Sequence, residues 1–310
     1  MMHTHYPLAL KPLMWVLLAG CVKTGAVATP TSSRAVPLRV HDSGHLFVPL
    51  ELGDETFEFI VDTGASFTVI SPQTQAALQI LPVNDEESVA AGADGEGMML
   101  SIVTLPTVRI AGETLTDIQA AVMPMDHLAD SLQQPISGVL GQNILAQFRV
   151  ELDLQQDTLA LADPNSRQLT QDGWTVPFDF FEVAPIMRLS VSGPDGQRIP
   201  AVFDSGAGAT ILNHAAAETL GAVIDRQAEP SQVQGANDAL LQLTRARLRT
   251  LQIADLRVHP SEVFISDLGI FEQLGVADGP AIILGVDLFD GRRLSLDYQS
   301  QTLWVSEAQR

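Results

Sequence analysis

Apolar and polar residues alternate at period two through most of this chain. Phe57-Glu58-Phe59, Val150-Glu151-Leu152-Asp153-Leu154 and Leu294-Ser295-Leu296-Asp297-Tyr298 each present one apolar and one polar face, the pattern of a half-buried β-strand. Gly53-Asp54, Ala111-Gly112 and Pro194-Asp195-Gly196 punctuate such runs with turn chemistry. Helical pattern is confined to short pieces. Two of them carry a start signal: Ser71 precedes Pro72, and Asn213 precedes an Ala-rich turn. The pattern therefore predicts an all-β protein. Hairpins are expected at 150–154 with 158–161 and at 294–298 with 302–305.

The elements recur. Phe59-Ile60-Val61-Asp62-Thr63-Gly64-Ala65-Ser66 is echoed by Ala201-Val202-Phe203-Asp204-Ser205-Gly206-Ala207-Gly208, an offset of 142 that also pairs Val69-Ile70-Ser71 with Ile211-Leu212-Asn213. Gly92-Ala93-Asp94-Gly95 matches Gly235-Ala236-Asn237-Asp238 at 143, and Val139-Leu140-Gly141 matches Ile283-Leu284-Gly285 at 144. A period this long is too great for a solenoid and indicates domain duplication. The expected organisation is two β lobes, 38–163 and 180–310, joined by a linker over 164–179.

Charge and length narrow the function classes. The 310 residues carry 17 Lys+Arg against 37 Asp+Glu, a formal net charge of −20. A balance this acidic argues against nucleic acid, whose binding needs clustered cations on phosphates. A single cysteine, Cys21, excludes an intrachain disulfide framework and a zinc site built on several thiolates. Residues 12–20 form a short apolar run, too short to cross a bilayer but of the length of a secretory core. Leu18-Ala19-Gly20-Cys21 resembles the lipobox of bacterial lipoproteins. That resemblance implies a signal peptide over 1–20, removed before a Cys21 that carries acyl chains such as palmitate. Residues 21–37, rich in Thr, Ser and Ala with Pro30 and Pro37, then read as anchor and tether. Val22 in place of Asp after the cysteine implies, by the same resemblance, the outer membrane facing the periplasm.

The candidate chemistry lies in the repeated Asp-(Thr/Ser)-Gly. A carboxylate ending a very apolar strand is costly unless used or paired, and both Asp62 and Asp204 stand there. One such tripeptide is expected by chance at about 0.1–0.2 per chain of this length and reads as an Asx-type turn. Two copies, each followed some 77–80 residues later by aliphatic-aliphatic-Gly, are far more specific.

On these residues the chain resembles a retropepsin-like aspartic protease of clan AA with two lobes fused in one polypeptide. The first lobe contributes Val61-Asp62-Thr63-Gly64-Ala65-Ser66, the glycine-rich 92–97 stretch and Gly138-Val139-Leu140-Gly141-Gln142-Asn143-Ile144-Leu145. The second contributes Asp204-Ser205-Gly206 and Ile282-Ile283-Leu284-Gly285. The resemblance spans about 45–305. It implies a bilobal fold with a cleft between the lobes and Asp62 and Asp204 as the catalytic dyad. Thr63 and Ser205 would lock the two loops, with Gly64, Gly206 and Ser66 supporting them. Leu140-Gly141 and Leu284-Gly285 would pack beneath. Glycines 92, 95 and 97 (Gly92, Gly95, Gly97) and Gly235 become flap candidates, since the tyrosines Tyr6 and Tyr298 do not suit a single tyrosine flap. Gly208 stands where the first lobe has Ser66, so support of the two carboxylates need not be symmetric.

Two carboxylates about 4 Å apart repel by about 4 kcal/mol at an effective dielectric of 20, or about 3 pKa units. They then share one proton, the behaviour for which aspartic-protease dyads are the standard example. Such a pair needs no metal, nucleotide or other cofactor to hydrolyse a peptide. With both motifs in one chain, a monomer suffices. His41 and His45, four apart, lack a helical pattern and make a poor zinc pair. The alternation Arg245-Arg247-Arg249 reads as the solvent face of a strand. The functions left open are an endopeptidase acting on protein or peptide, a non-catalytic peptide-binding or scaffold lipoprotein of the same fold, and an amidase on cell-wall peptides.

Overall fold

The computed structural model describes residues 17–19, 34–91, 97–166, 172–228, 231–234, 240–260 and 262–308. Each half of the chain builds one large mixed sheet, and the two sheets share the same order over eight successive strands. In the first half the order runs from the hairpin Pro82–Ala91 and Gly97–Thr104 through Gln119–Val122, Val69–Ile70, Gly138–Leu140 and Glu55–Val61 to Leu46–Leu52, Val108–Ile110 and Glu113–Leu115. In the second it runs from Leu240–Arg247 through Val263–Ile265, Ile211–Leu212, Ile282–Leu284 and Arg198–Phe203 to Ala184–Ser192, Leu251–Ile253 and Leu256–Val258. The architecture is all-β and bilobal.

Local chemistry explains the strand ends. Glu55–Val61 begins largely exposed and finishes in Phe59, Ile60 and Val61, all buried, because its last residues lie between neighbours on both edges. One of those neighbours, Gly138–Leu140, runs parallel to it (Gly138 opposite Phe59, Leu140 opposite Val61), and Ile282–Leu284 runs parallel to Ala201–Phe203 in the same way. The two capped helices are present. Ser71 Oγ accepts from Thr74 N–H ahead of Pro72–Leu78, and Asn213 Oδ1 accepts from Ala216 N–H ahead of His214–Leu220.

The closing hairpins do more than end each lobe. Arg149–Asp153 with Thr158–Ala162, and Arg293–Asp297 with Thr302–Ser306, join edge to edge in one six-stranded sheet. Gly173–Pro177 and Val36–Pro37 complete it at its two ends. In the central pairing Val150 faces Leu296, Glu151 faces Ser295 and Leu152 faces Leu294. Glu151 and Ser295 are themselves equivalent at the offset of 144, so the pseudo-two-fold axis passes between them. Val150, Leu152, Leu159, Leu161, Leu294, Leu296, Leu303 and Val305 are buried in one hydrophobic cluster with Leu50 and Phe59 of the first lobe and Leu189 and Phe203 of the second. The lobes therefore share a core.

Two boundaries shift as a result. The segment 164–179, read as a linker, contains the strand Gly173–Pro177 and the buried Phe178. The end of the segment read as a tether is pinned by Val36–Pro37, and by Leu38 N–H donating to Asp157 O at 2.8 Å. Leu17–Ala19 pairs antiparallel with Val89–Ala91 at the outer edge of the first hairpin. Among the described residues no helix is long and apolar enough to cross a membrane. Cys21 lies outside the described residues.

Candidate active site

Strands Glu55–Val61 and Arg198–Phe203 each run into a tight loop whose first residue is the aspartate. Asp62 N–H donates to Leu140 O at 3.1 Å and Asp204 N–H to Leu284 O at 3.0 Å, so each loop is tied to the strand beneath it. That strand ends in a glycine for a steric reason. A Cβ on Gly141 would lie 2.4 Å from the Phe67 carbonyl carbon, and one on Gly285 would lie 2.6 Å from that of Ala209. Leu140 and Leu284 are fully buried against the loops.

The loops lock to each other. Thr63 N–H donates to Ser205 Oγ (2.9 Å) and Thr63 Oγ1–H to Phe203 O (2.9 Å). Reciprocally, Ser205 N–H donates to Thr63 Oγ1 (3.0 Å) and Ser205 Oγ–H to Val61 O (2.8 Å). All four bonds are buried, and each hydroxyl both donates and accepts. Glycine follows because the opposite carboxylate occupies the space a side chain would fill. A Cβ on Gly206 would sit 2.5 Å from Asp62 Oδ2. One on Gly64 would sit 2.8 Å from Asp204 Oδ1 and 3.2 Å from Asp62 Oδ1. A single methyl group would touch both carboxylates, which places them face to face.

Asp62 Oδ1 accepts from the amides of Gly64 and Ala65 at 2.8 Å each, and Asp204 Oδ1 accepts from Gly206 at 2.8 Å. Oδ2 of each is buried and accepts from no backbone amide of the described residues. Burial pushes Asp62 up to about 6, opposed by the neighbouring Asp204 carboxyl and the two amides. Burial and then the charge on Asp62 hold Asp204 well above the usual carboxylate range. Two carboxyls so placed titrate as a pair, and holding one proton between them relieves their repulsion. Tyr298, discounted as a flap residue, is buried against Phe178, and burial together with the Asp62 charge raises its phenol above its ordinary range.

Several supporting side chains were not anticipated. Gln142 Nε2 donates to Thr63 O at 2.8 Å. Thr68 and Thr210, equivalent and fully buried, each accept from the glycine amide below, Gly141 at 3.1 Å and Gly285 at 3.2 Å. They donate in turn to Asn143 Oδ1 (2.7 Å) and Asp287 Oδ1 (2.9 Å), again equivalent positions. The two threonines keep the offset of 142 but lie between the two matched stretches. Ser66 is half-buried beyond the loop, while the direct amide ligands of Asp62 are Gly64 and Ala65.

Gly92 and Gly95 lie outside the described residues, between Pro82–Ala91 and Gly97–Thr104; Gly97 opens the second of these strands. Gly235 also lies outside them, between Ser231–Gln234 and Leu240–Arg247, which pair antiparallel. His41 and His45 both turn Nδ1 toward Ser43 Oγ, at 2.7 and 2.8 Å, rather than toward a common metal position. Arg245 and Arg247 lie on Leu240–Arg247 and pair with Glu262 and Asp225.

The family model described as aspartyl protease matches this chain twice, over residues 48–144 and 188–288, more than half of its length. Each match contains one Asp-(Thr/Ser)-Gly loop and the strand beneath it. The chain belongs to the aspartyl protease family. No curated protein sequence matches it.

Proposed function

We propose that this protein is an aspartic endopeptidase, active as a monomer, with Asp62 and Asp204 as its dyad. The observation that carries the reading is the facing pair of fully buried carboxylates, each delivered by an equivalent loop. In the reaction the ionised carboxylate takes a proton from a water molecule, whose oxygen bonds to the carbonyl carbon of the substrate peptide. The protonated carboxyl donates a hydrogen bond to the carbonyl oxygen, where negative charge develops. Breakdown of the tetrahedral species cleaves the C–N bond, and the leaving amine takes up a proton from the dyad. A scaffold has no need of two facing buried carboxylates, whose retention costs stability.

Protein starting at residue 22, incubated with a diverse peptide mixture between about pH 3 and pH 8, tests this by mass spectrometry of the fragments. Cleavage is expected from wild type and absent from Asp62→Asn and Asp204→Asn with the fold retained. It should decline as pH falls through about 6, where the second proton reaches the dyad. Identical fragments from wild type and Asp62→Asn, or none from wild type, would sink the proposal. We further propose a periplasm-facing lipid anchor at Cys21, supported by the Leu18-Ala19-Gly20-Cys21 sequence. On that reading Cys21→Ala moves the protein from the membrane fraction to the soluble one, and unchanged fractionation refutes it.

A further inference from the structure

The turn from His41 to His45 belongs to the first lobe, yet it bears on the active-site loop of the second. Its backbone is closed by Gly44 N–H donating to His41 O (2.8 Å) and His41 N–H to His45 O (2.9 Å), with Gly44 at φ +89°. Its side chains form a chain of their own. Ser43 Oγ lies 2.7 Å from His41 Nδ1 and 2.8 Å from His45 Nδ1, and Ser43 N–H donates to His41 Nδ1 at 3.2 Å. A nitrogen that accepts the backbone N–H carries no proton. The consistent arrangement is therefore His45 Nδ1–H to Ser43 Oγ, and Ser43 Oγ–H to His41 Nδ1. Ser43 and His45 are almost fully buried, and the His41 ring stands edge-on to the buried Phe47 at 6.2 Å. The turn is rigid.

This rigid turn meets Gly208 backbone to backbone. A Cβ on Gly208 would lie 1.8 Å from Ser43 O, and one on Gly44 would lie 2.8 Å from Gly208 Cα. Gly208 ends the segment that begins with Asp204, and Gly285 closes on Ala209 next to it. The loop holding Asp204 is thus gripped between the first lobe's turn and its own lobe's underlying strand. The device exists once. The corresponding turn of the second lobe, between Phe180 and Met187, contains neither histidine nor serine and cannot form such a chain, and the counterpart of Gly208 is Ser66.

We propose that the His41–Ser43–His45 chain is a positioning element for the reaction, bracing the Asp204 loop through the contact of Ser43 and Gly44 with Gly208. The inference rests on Asp204 being half of the dyad. It differs from a generic stabilising contact in predicting effects confined to one loop. His45→Leu removes the Nδ1–H that organises Ser43, whereas His45→Asn offers an amide N–H near the same place. Loosening a reacting carboxylate without touching substrate contacts should lower kcat by about 10–100-fold and leave KM unchanged. Gly208→Ala, which pushes the turn away from the other side, should do the same. His45→Leu added to Gly208→Ala should cost little more, since both act through one contact.

Amide hydrogen exchange supplies a readout free of turnover. In His45→Leu the amides of Gly206 and Ala207, which bond to Asp204, should exchange about tenfold faster. Those of Gly64 and Ala65 should keep their protection. His45→Asn should restore both kcat and protection. Equal loss of protection in both loops, unchanged exchange at Gly206 and Ala207, a kcat equal to wild type, or additive effects of the two substitutions would each overturn the proposal. A wild type without turnover would instead remove the catalytic reading, and the exchange pattern would still decide whether the turn braces the loop.

Discussion

Replacing Asp62 with asparagine should make the protein more stable while abolishing its chemistry. Asp62 rises from 3.8 to about 6 on folding, so the folded state binds this proton more tightly than the unfolded chain. The sign follows directly. Between those two values the native state holds more protons, and stability declines as pH rises. The penalty is complete above about 6 and absent below about 3.8. At 1.36 kcal/mol per pKa unit it amounts to about 3 kcal/mol at neutral pH.

Asparagine retains Oδ1 as acceptor for the amides of Gly64 and Ala65, and its Nδ2 takes the place of Oδ2, which accepts from no backbone amide of the described residues. Urea unfolding of wild type and Asp62→Asn across pH 3.5–7.5 measures the difference as a shift in midpoint at constant slope. The variant is expected to be more stable by about 3 kcal/mol near pH 7, with the two curves converging toward pH 4. A variant less stable at pH 7, or a difference independent of pH, would refute the reasoning that buried charge at this position opposes folding.

The loop lock and the glycines give two further expectations. Thr63→Ala strands Ser205 N–H and the Phe203 carbonyl in a buried site and should cost about 2–4 kcal/mol in urea unfolding, whereas Thr63→Ser, which keeps the hydroxyl, should recover most of that. Gly206→Ala drives a methyl group into the Asp62 carboxylate and should reduce kcat at least about 100-fold, while Gly279→Ala, also at a glycine but in open space, should leave kcat unchanged.

Much of this was legible in the chain because it is local and repeated. Asp62, Asp204 and the loops around them are contiguous, and the duplication marks them twice. The helix caps at Ser71 and Asn213 follow from side-chain chemistry within four residues. What stayed hidden is long-range or steric. Nothing local to Arg149–Asp153 says that its edge meets Arg293–Asp297 rather than water. Gly173–Pro177 ends in proline and follows polar residues, so it reads as a linker until Thr302–Ser306 is placed beside it. Gly208 raised a question about hydrogen bonding, and the structure answers with contact, because Ser43 O fills the space beside it. Thr68 and Thr210 were visible as a matched pair, but a buried threonine shows its role only once its glycine amide and Asn143 or Asp287 surround it.

The interlobe sheet also bears on how the halves choose partners. At its axis Glu151 stands opposite Ser295, and Ser295 Oγ donates to Glu151 Oε1 at 2.9 Å. Two first lobes meeting in that register would set Glu151 against Glu151, each ion-paired with its own Arg149 at 2.7 Å, and would lose the bond from Ser295. Pairing between unlike halves is therefore favoured by the sequence itself. Fusion supplies proximity, and the bond from Ser295 to Glu151 rewards the pairing of unlike halves. Once the halves must differ, a specialisation on one side, such as the histidine turn against Gly208, can persist without a counterpart on the other.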